Sequence, residues 1–121
     1  MKLSIVIPVF NEEESIQELY LQIKDALKGE SEYEIIFIDD GSSDNSKKNI
    51  NALINQESNV RLISFYRNFG KSAALSEGFK HASGEIIITM DADLQDDPNE
   101  ITSLINKLNE GFDLISGWKK K

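Results

Sequence analysis

The chain has 121 residues, 40% of them hydrophobic, a net charge of −8 from 13 basic and 21 acidic side chains, and no cysteine. Against a soft prior of ~150 residues per domain, that length allows one compact domain or a piece of one, with no room for a multidomain machine. The acidic balance has the wrong sign for wrapping nucleic acid or coating an anionic membrane, and the missing cysteines exclude disulfides, Cys-based zinc sites and thiol catalysis, which fits a reducing, cytoplasmic setting.

The apolar run Leu3 to Phe10 reads as a first strand rather than a secretory leader, because Pro8 interrupts it, Asn11-Glu12-Glu13-Glu14 follows, and no small-residue cleavage site appears. No apolar run approaches the ~18 residues of a membrane span, so the chain reads as soluble. Ile16, Leu19, Tyr20, Ile23 and Leu27 carry a helical rhythm, with Asn11 and Glu14 as a capping box and the glutamates complementing the helix N-terminus. A second strand spans Glu34 to Ile38. The next helix, marked by Ile50, Leu53 and Ile54, would take Ser42 or Ser43 as its N-cap. A third strand runs from Val60 to Phe65, and a short helix of small residues from Ser72 to Lys80. His81 near its end reads as a surface residue favourable to the dipole. A fourth strand covers Glu85 to Met90. Asp97-Pro98-Asn99-Glu100 then opens a fourth helix through Ile101, Leu104, Ile105 and Leu108, and Asp113 to Ser116 reads as a fifth strand. Gly29, Gly84 and Gly111 stand where left-handed helix C-caps are wanted, Trp118 reads as packing against a further segment, and Lys119 to Lys121 as a frayed end.

Strand and helix alternating in this way predict an α/β fold, a Rossmann-like parallel sheet with helices on both faces and right-handed crossovers. If the first three strands step outward and the fourth returns to the other side of the first, the ligand crevice lies at the carboxyl ends of strands one and four. Pro8 to Asn11 would form one lip and Asp91 to Asp93 the other.

Three clusters carry the chemistry. In extended chain Asp91 and Asp93 point to one side, and two converging carboxylates call for a cation. Mg²⁺ or Mn²⁺, which completes its shell with water and substrate phosphates, would let an acidic protein hold a diphosphate. Asp39-Asp40-Gly41 at the end of strand two can accept hydrogen bonds from a nucleobase or ribose, with Gly41 permitting close backbone approach; the same residues also suit a plain turn. Asn68, Gly70 and Lys71 precede the third helix, whose free N–H groups and Lys71 charge suit an anion, although Lys71 also reads as an ordinary exposed lysine.

Taken together, Ile5 to Glu12, Asp39 to Asp44, Arg67 to Ala74 and Met90 to Pro98 resemble, in order and over nearly the whole chain, the nucleotide-sugar glycosyltransferases of family 2. The Asp91-Ala92-Asp93-Leu94-Gln95 wording is most similar to their polyprenol-phosphate hexosyltransferase branch. The resemblance implies the amino-terminal, nucleotide-sugar-binding part of a GT-A fold over residues 1–121. It implies inverting transfer of a hexose from a UDP- or GDP-linked donor to a lipid-phosphate or glycan acceptor, with polyprenyl phosphate foremost. Pro8, Asn11, Glu13, Asp39, Asp40, Gly41, Asn68, Lys71 and Asp91 then belong to the nucleotide site, Asp93 and Gln95 to the metal, and Asp91 with Asp93 to the catalytic apparatus. Family members continue well past the equivalent of Trp118, so the chain is expected to be truncated, with its base beyond Lys121 and its parent at the cytoplasmic face of a membrane. A haloacid-dehalogenase-like phosphatase, a phospho-accepting receiver domain and a non-catalytic binding module are the alternatives.

Overall fold

The structure, a computed structural model, describes residues 2–29, 32–93, 103 and 118–120. Strands β1 (Leu3–Val9), β2 (Tyr33–Asp39), β3 (Val60–Ser64), β4 (Ile86–Thr89) and β5 (Trp118–Lys120) alternate at first with helices α1 (Ile16–Ala26), α2 (Ser46–Gln56) and α3 (Lys71–His81). The sheet order is β3-β2-β1-β4-β5, with β1 to β4 parallel and β5 antiparallel to β4. The chain steps outward through β1, β2 and β3 and returns to the far side of β1, so the switch point falls between β1 and β4 as the sequence predicts.

The continuous apolar runs of β1 and β2 follow from burial on both faces. On one face Leu3, Ile5, Ile7, Val9, Ile35 and Phe37 pack under α1, through Ile16, Leu19, Tyr20 and Ile23, and under α2, through Ile50 and Leu53. On the other, Val6, Ile36, Ile38 and Ile87 meet α3 at Ala74. The small residues of α3 have a purpose: a Cβ at Gly78 would stand 2.3 Å from Val6 Cγ1, so the helix lies against the sheet only because that position has no side chain. Among the described residues no helix is long and apolar enough to cross a membrane.

Several local expectations need correction. Helix α1 begins at Ile16 behind Ser15, not at Asn11, and Asn11 and Glu14 form no capping box; Asn11 takes a left-handed φ of 52°. Helix α2 begins behind Asn45, so Ser42 and Ser43 are not its caps. Gly29 and Gly84 do not have left-handed φ values, and α3 ends through an extended Ala82. Lys119 and Lys120 are not frayed but pair with Ile87 and Ile86 in an edge strand that Trp118 opens against Ile88. Ser103 is helical; the rest of the fourth helix, Gly111 and the strand at 113–116 lie outside the described residues.

At the amino end of the sheet, opposite the switch point, Glu34 is only 5% exposed. Its Oε2 accepts hydrogen bonds from the Ser4 hydroxyl at 2.6 Å, the Ser83 N–H at 2.7 Å and the Ser83 hydroxyl at 2.9 Å, and its Oε1 from Arg61 at 2.9 Å. One carboxylate thus joins β1, β2, β3 and the segment entering β4.

Candidate functional site

The carboxyl ends of the strands are tied together before any ligand is considered. The loop after β1 is bound to the loop after β2: the Asn11 N–H donates to Ser42 Oγ at 2.9 Å, the Ser43 N–H to Asn11 Oδ1 at 2.8 Å, the Glu12 N–H to Ser46 Oγ at 2.9 Å and the Glu13 N–H to Asp44 Oδ2 at 3.1 Å. Burial works to raise the Asp44 carboxyl, but hydrogen bonds from Ser46 and from the Glu13 N–H outweigh it and hold the group below the usual carboxylate range. Glu13 also receives the Asn45 N–H on its carboxylate at 3.3 Å. The polar residues that read as a cap and a nucleotide contact therefore brace this double loop.

The loop after β2 is bound in turn to the loop after β3. Buried Asp40 accepts from the Phe69 N–H at 2.7 Å, the Gly70 N–H at 3.0 Å and Asn68 Nδ2 at 3.1 Å, while Asp39 Oδ1 accepts from the Ser42 N–H at 3.1 Å. Gly41 permits this contact: its φ is +73°, and a Cβ there would stand 2.2 Å from the Arg67 carbonyl carbon. The close approach expected of Gly41 is made to the protein's own backbone.

Around the switch point these loops enclose a cleft of about 300 Å³. Pro8, Val9, Phe10 and Glu12 come from β1 and its loop, Asp40 from the end of β2, Asn68, Gly70 and Lys71 from the entry to α3, and Asp91, Ala92 and Asp93 from the end of β4. Of the residues singled out from sequence, Pro8, Asp40, Asn68, Lys71, Asp91 and Asp93 meet here. Asn11 and Glu13 line an adjoining hollow with Asp44 and Asp93. Asp39, 2% exposed, does not line the cleft, and Gln95 lies outside the described residues. Lys71 closes the cleft by donating to Asp91 Oδ1 at 2.7 Å across the gap between α3 and β4. Residues 92 and 93 turn rather than continue as a strand, and both acidic side chains still line the cleft.

Of the other lining residues, Phe10 belongs to the Pro8 to Asn11 lip expected from sequence, while Glu12 escaped that reading as a site residue. Phe10, 47% exposed, offers an apolar wall beside the polar groups. Glu12, read there as a helix-end charge, faces the aspartates instead: burial first, then repulsion from Asp93, Asp44 and Asp91, push its carboxyl above the usual range, with the Ser15 hydroxyl working the other way. The signal for Glu12 lay in its place at the end of β1, and only the strand order turns that place into proximity to Asp93.

The donor set suits a hard divalent cation: carboxylate oxygens from two loops share one wall, and their mutual repulsion is what a cation relieves. Among the described residues no three His, Cys, Asp or Glu side chains are placed to cage a metal by themselves. A site of this kind relies on water and a bound phosphate group to fill the shell.

Comparison with known proteins places the chain. The profile of Glycosyl transferase family 2 matches residues 4–120. Undecaprenyl-phosphate 4-deoxy-4-formamido-L-arabinose transferases of Proteus mirabilis and Salmonella choleraesuis are 47% identical to it over 116 and 117 residues, covering 94% of this chain and 36% of theirs. The chain thus spans about a third of the length of these curated relatives. Among solved structures, S. aureus TarS superposes with a TM-score of 0.74 at 25% identity, over 91% of this chain and 33% of that one. Glucosyl-3-phosphoglycerate synthase from Mycobacterium tuberculosis, in complex with Mn²⁺, UDP and phosphoglyceric acid, superposes with a TM-score of 0.70 at 27% identity, over 88% and 38%. With the profile covering nearly its full length and the fold shared with these enzymes, the chain belongs to glycosyl transferase family 2.

Proposed function

We propose that the chain forms the donor-binding part of an inverting glycosyltransferase, which passes a sugar unit from a UDP- or GDP-linked donor to a polyprenyl phosphate at the cytoplasmic face of a membrane. The observation that carries this reading is the meeting of Glu12, Asp91 and Asp93 with Asn68 and Lys71 on one cleft at the β1/β4 switch point. The curated relatives, named for undecaprenyl phosphate and an arabinose derivative, support the acceptor class and widen the sugar from a hexose to a hexose or pentose. Family membership leaves no support for the phosphatase and receiver readings.

Within the cleft the residues divide the work. Phe10 and Pro8 wall the side where β1 meets the Asp40 loop and suit the base. Asp91, held by Lys71, is fixed beside the ribose and first phosphate, and Lys71 carries a positive charge toward them. Asp93, with Glu12 near it and Gln95 following, holds a divalent cation, Mn²⁺ as in the M. tuberculosis synthase complex or Mg²⁺. When bound, that ion neutralises charge developing on the departing diphosphate. Asp39 and Asp40, bonded to the flanking backbone, keep the base-side wall rigid.

Calorimetric titration of the chain with UDP and with GDP, each in Mn²⁺ and in EDTA, tests the proposal. Binding of one nucleotide that requires the metal is expected. Failure of both nucleotides to bind a folded sample in a metal-dependent way would overturn it.

A further inference from the structure

We infer that Ser15 is a positioning residue for the Asp91-Ala92-Asp93 turn, setting where its two carboxylates stand in the cleft; the inference rests on the donor-site reading above. Ser15 occupies the N-cap position of α1, where a serine hydroxyl ordinarily accepts a backbone N–H of the first turn, yet its side chain makes no such bond. Its hydroxyl instead donates to the Ala92 carbonyl at 2.5 Å, 77 residues away along the chain. Other acceptors lie farther off, the Glu12 carbonyl at 3.2 Å and the Glu12 carboxylate at 3.4 Å. The Ala92 carbonyl is therefore the nearest of the three acceptors, and the Glu12 contacts are weaker for their length.

Ala92 is the residue between the two aspartates. Its side chain is 3% exposed and belongs to the core cluster on the α1 side of the sheet, next to Met90 at 4%. The middle of the turn is therefore held twice, by its methyl group in the core and by its carbonyl on Ser15. Asp91 and Asp93 flank it and line the cleft. Since Ser15 is itself buried and α1 is packed on the sheet through Ile16 and Leu19, the anchor is rigid. Without the hydroxyl, the buried Ala92 carbonyl loses this partner and the turn can rotate, moving Asp93 relative to Glu12 and to a bound ion.

The test is Mn²⁺-dependent nucleotide binding by the wild type, Ser15→Ala, Ser15→Gly and Ser15→Thr, with binding in EDTA and thermal unfolding of each recorded alongside. Both variants lacking the hydroxyl are expected to weaken binding in Mn²⁺ about tenfold, the scale for losing an outer-shell partner of a metal ligand. Their binding in EDTA should stay at the wild-type level, and Ser15→Thr should restore the metal-dependent part. A merely structural role would lower the melting temperature and both kinds of binding together. Metal-dependent binding in the wild type that Ser15→Ala and Ser15→Gly leave within twofold would overturn the inference alone. Its absence from the wild type would overturn the donor-site reading and the inference with it.

Discussion

Replacing Asp93 by Ala is expected to abolish the metal-dependent part of nucleotide binding, a loss on the order of 100-fold in Mn²⁺, at the upper end of what even outer-shell changes cause. In EDTA the same variant should bind nucleotide no worse than the wild type, because one negative charge facing a diphosphate has been removed. Nor should its stability fall. Asp93 is exposed, and its charge helps push the Glu12 carboxyl above the usual range, so its removal relieves repulsion within the folded chain. Calorimetry for binding and urea denaturation for stability give both readouts. An Asp93→Ala protein that loses stability and metal-free binding together would mark Asp93 as a structural residue rather than a metal ligand.

The second large effect lies at the other end of the sheet. Glu34→Gln is expected to destabilise the fold by about 3 kcal/mol without touching the cleft, because it removes a buried charge with four hydrogen bonds and leaves a wrongly matched donor among Ser4, Ser83 and Arg61. The pH dependence follows. Burial alone would raise the Glu34 carboxyl, but the hydrogen bonds from Ser4, the Ser83 N–H, Arg61 and the Ser83 hydroxyl outweigh it and bring it from 4.5 down to about 2. A carboxylate depressed in the folded state adds stability that is fully present above pH 4.5 and lost as pH falls toward 2. Denaturant unfolding at a series of pH values should show a wild-type decline on the order of 3 kcal/mol from this group across that window, which Glu34→Gln lacks. Equal slopes for the two proteins would contradict this role for Glu34.

The strands in chain order and the buried faces of the helices were legible in the sequence because they depend on periodicity. The apolar runs of β1, β2 and β4 and the rhythm Ile16, Leu19, Tyr20, Ile23 carry their own burial pattern, and alternation of strand and helix leads to the parallel sheet. The cleft was legible in outline, since the switch-point rule brings Pro8 and Asp91 together from topology alone. What escaped was the use of polar side chains over long separations. Asn11 and Glu14 satisfy the local spacing of a capping box, yet Asn11 bonds to Ser43 from 32 residues away. Ser15 holds Ala92, and Asp40 holds the backbone of Phe69 and Gly70. Local propensity ranks such residues as caps and turns, while tertiary contact decides which donor they meet. Glu12 was misjudged for the same reason: its partners are in sequence far away and in space adjacent.

The proposed function requires donor and cation to meet at the β1/β4 switch point. Paramagnetic broadening of backbone amide resonances by Mn²⁺ in the ¹⁵N-labelled chain, recorded with UDP and in parallel with GDP, tests it most directly. Broadening is expected to centre on Asp93, Asp91 and Glu12, to strengthen when the bound nucleotide is added and to be absent from Asp93→Ala. Broadening centred on the exposed face of α2, or broadening at the cleft that neither nucleotide alters, would contradict it.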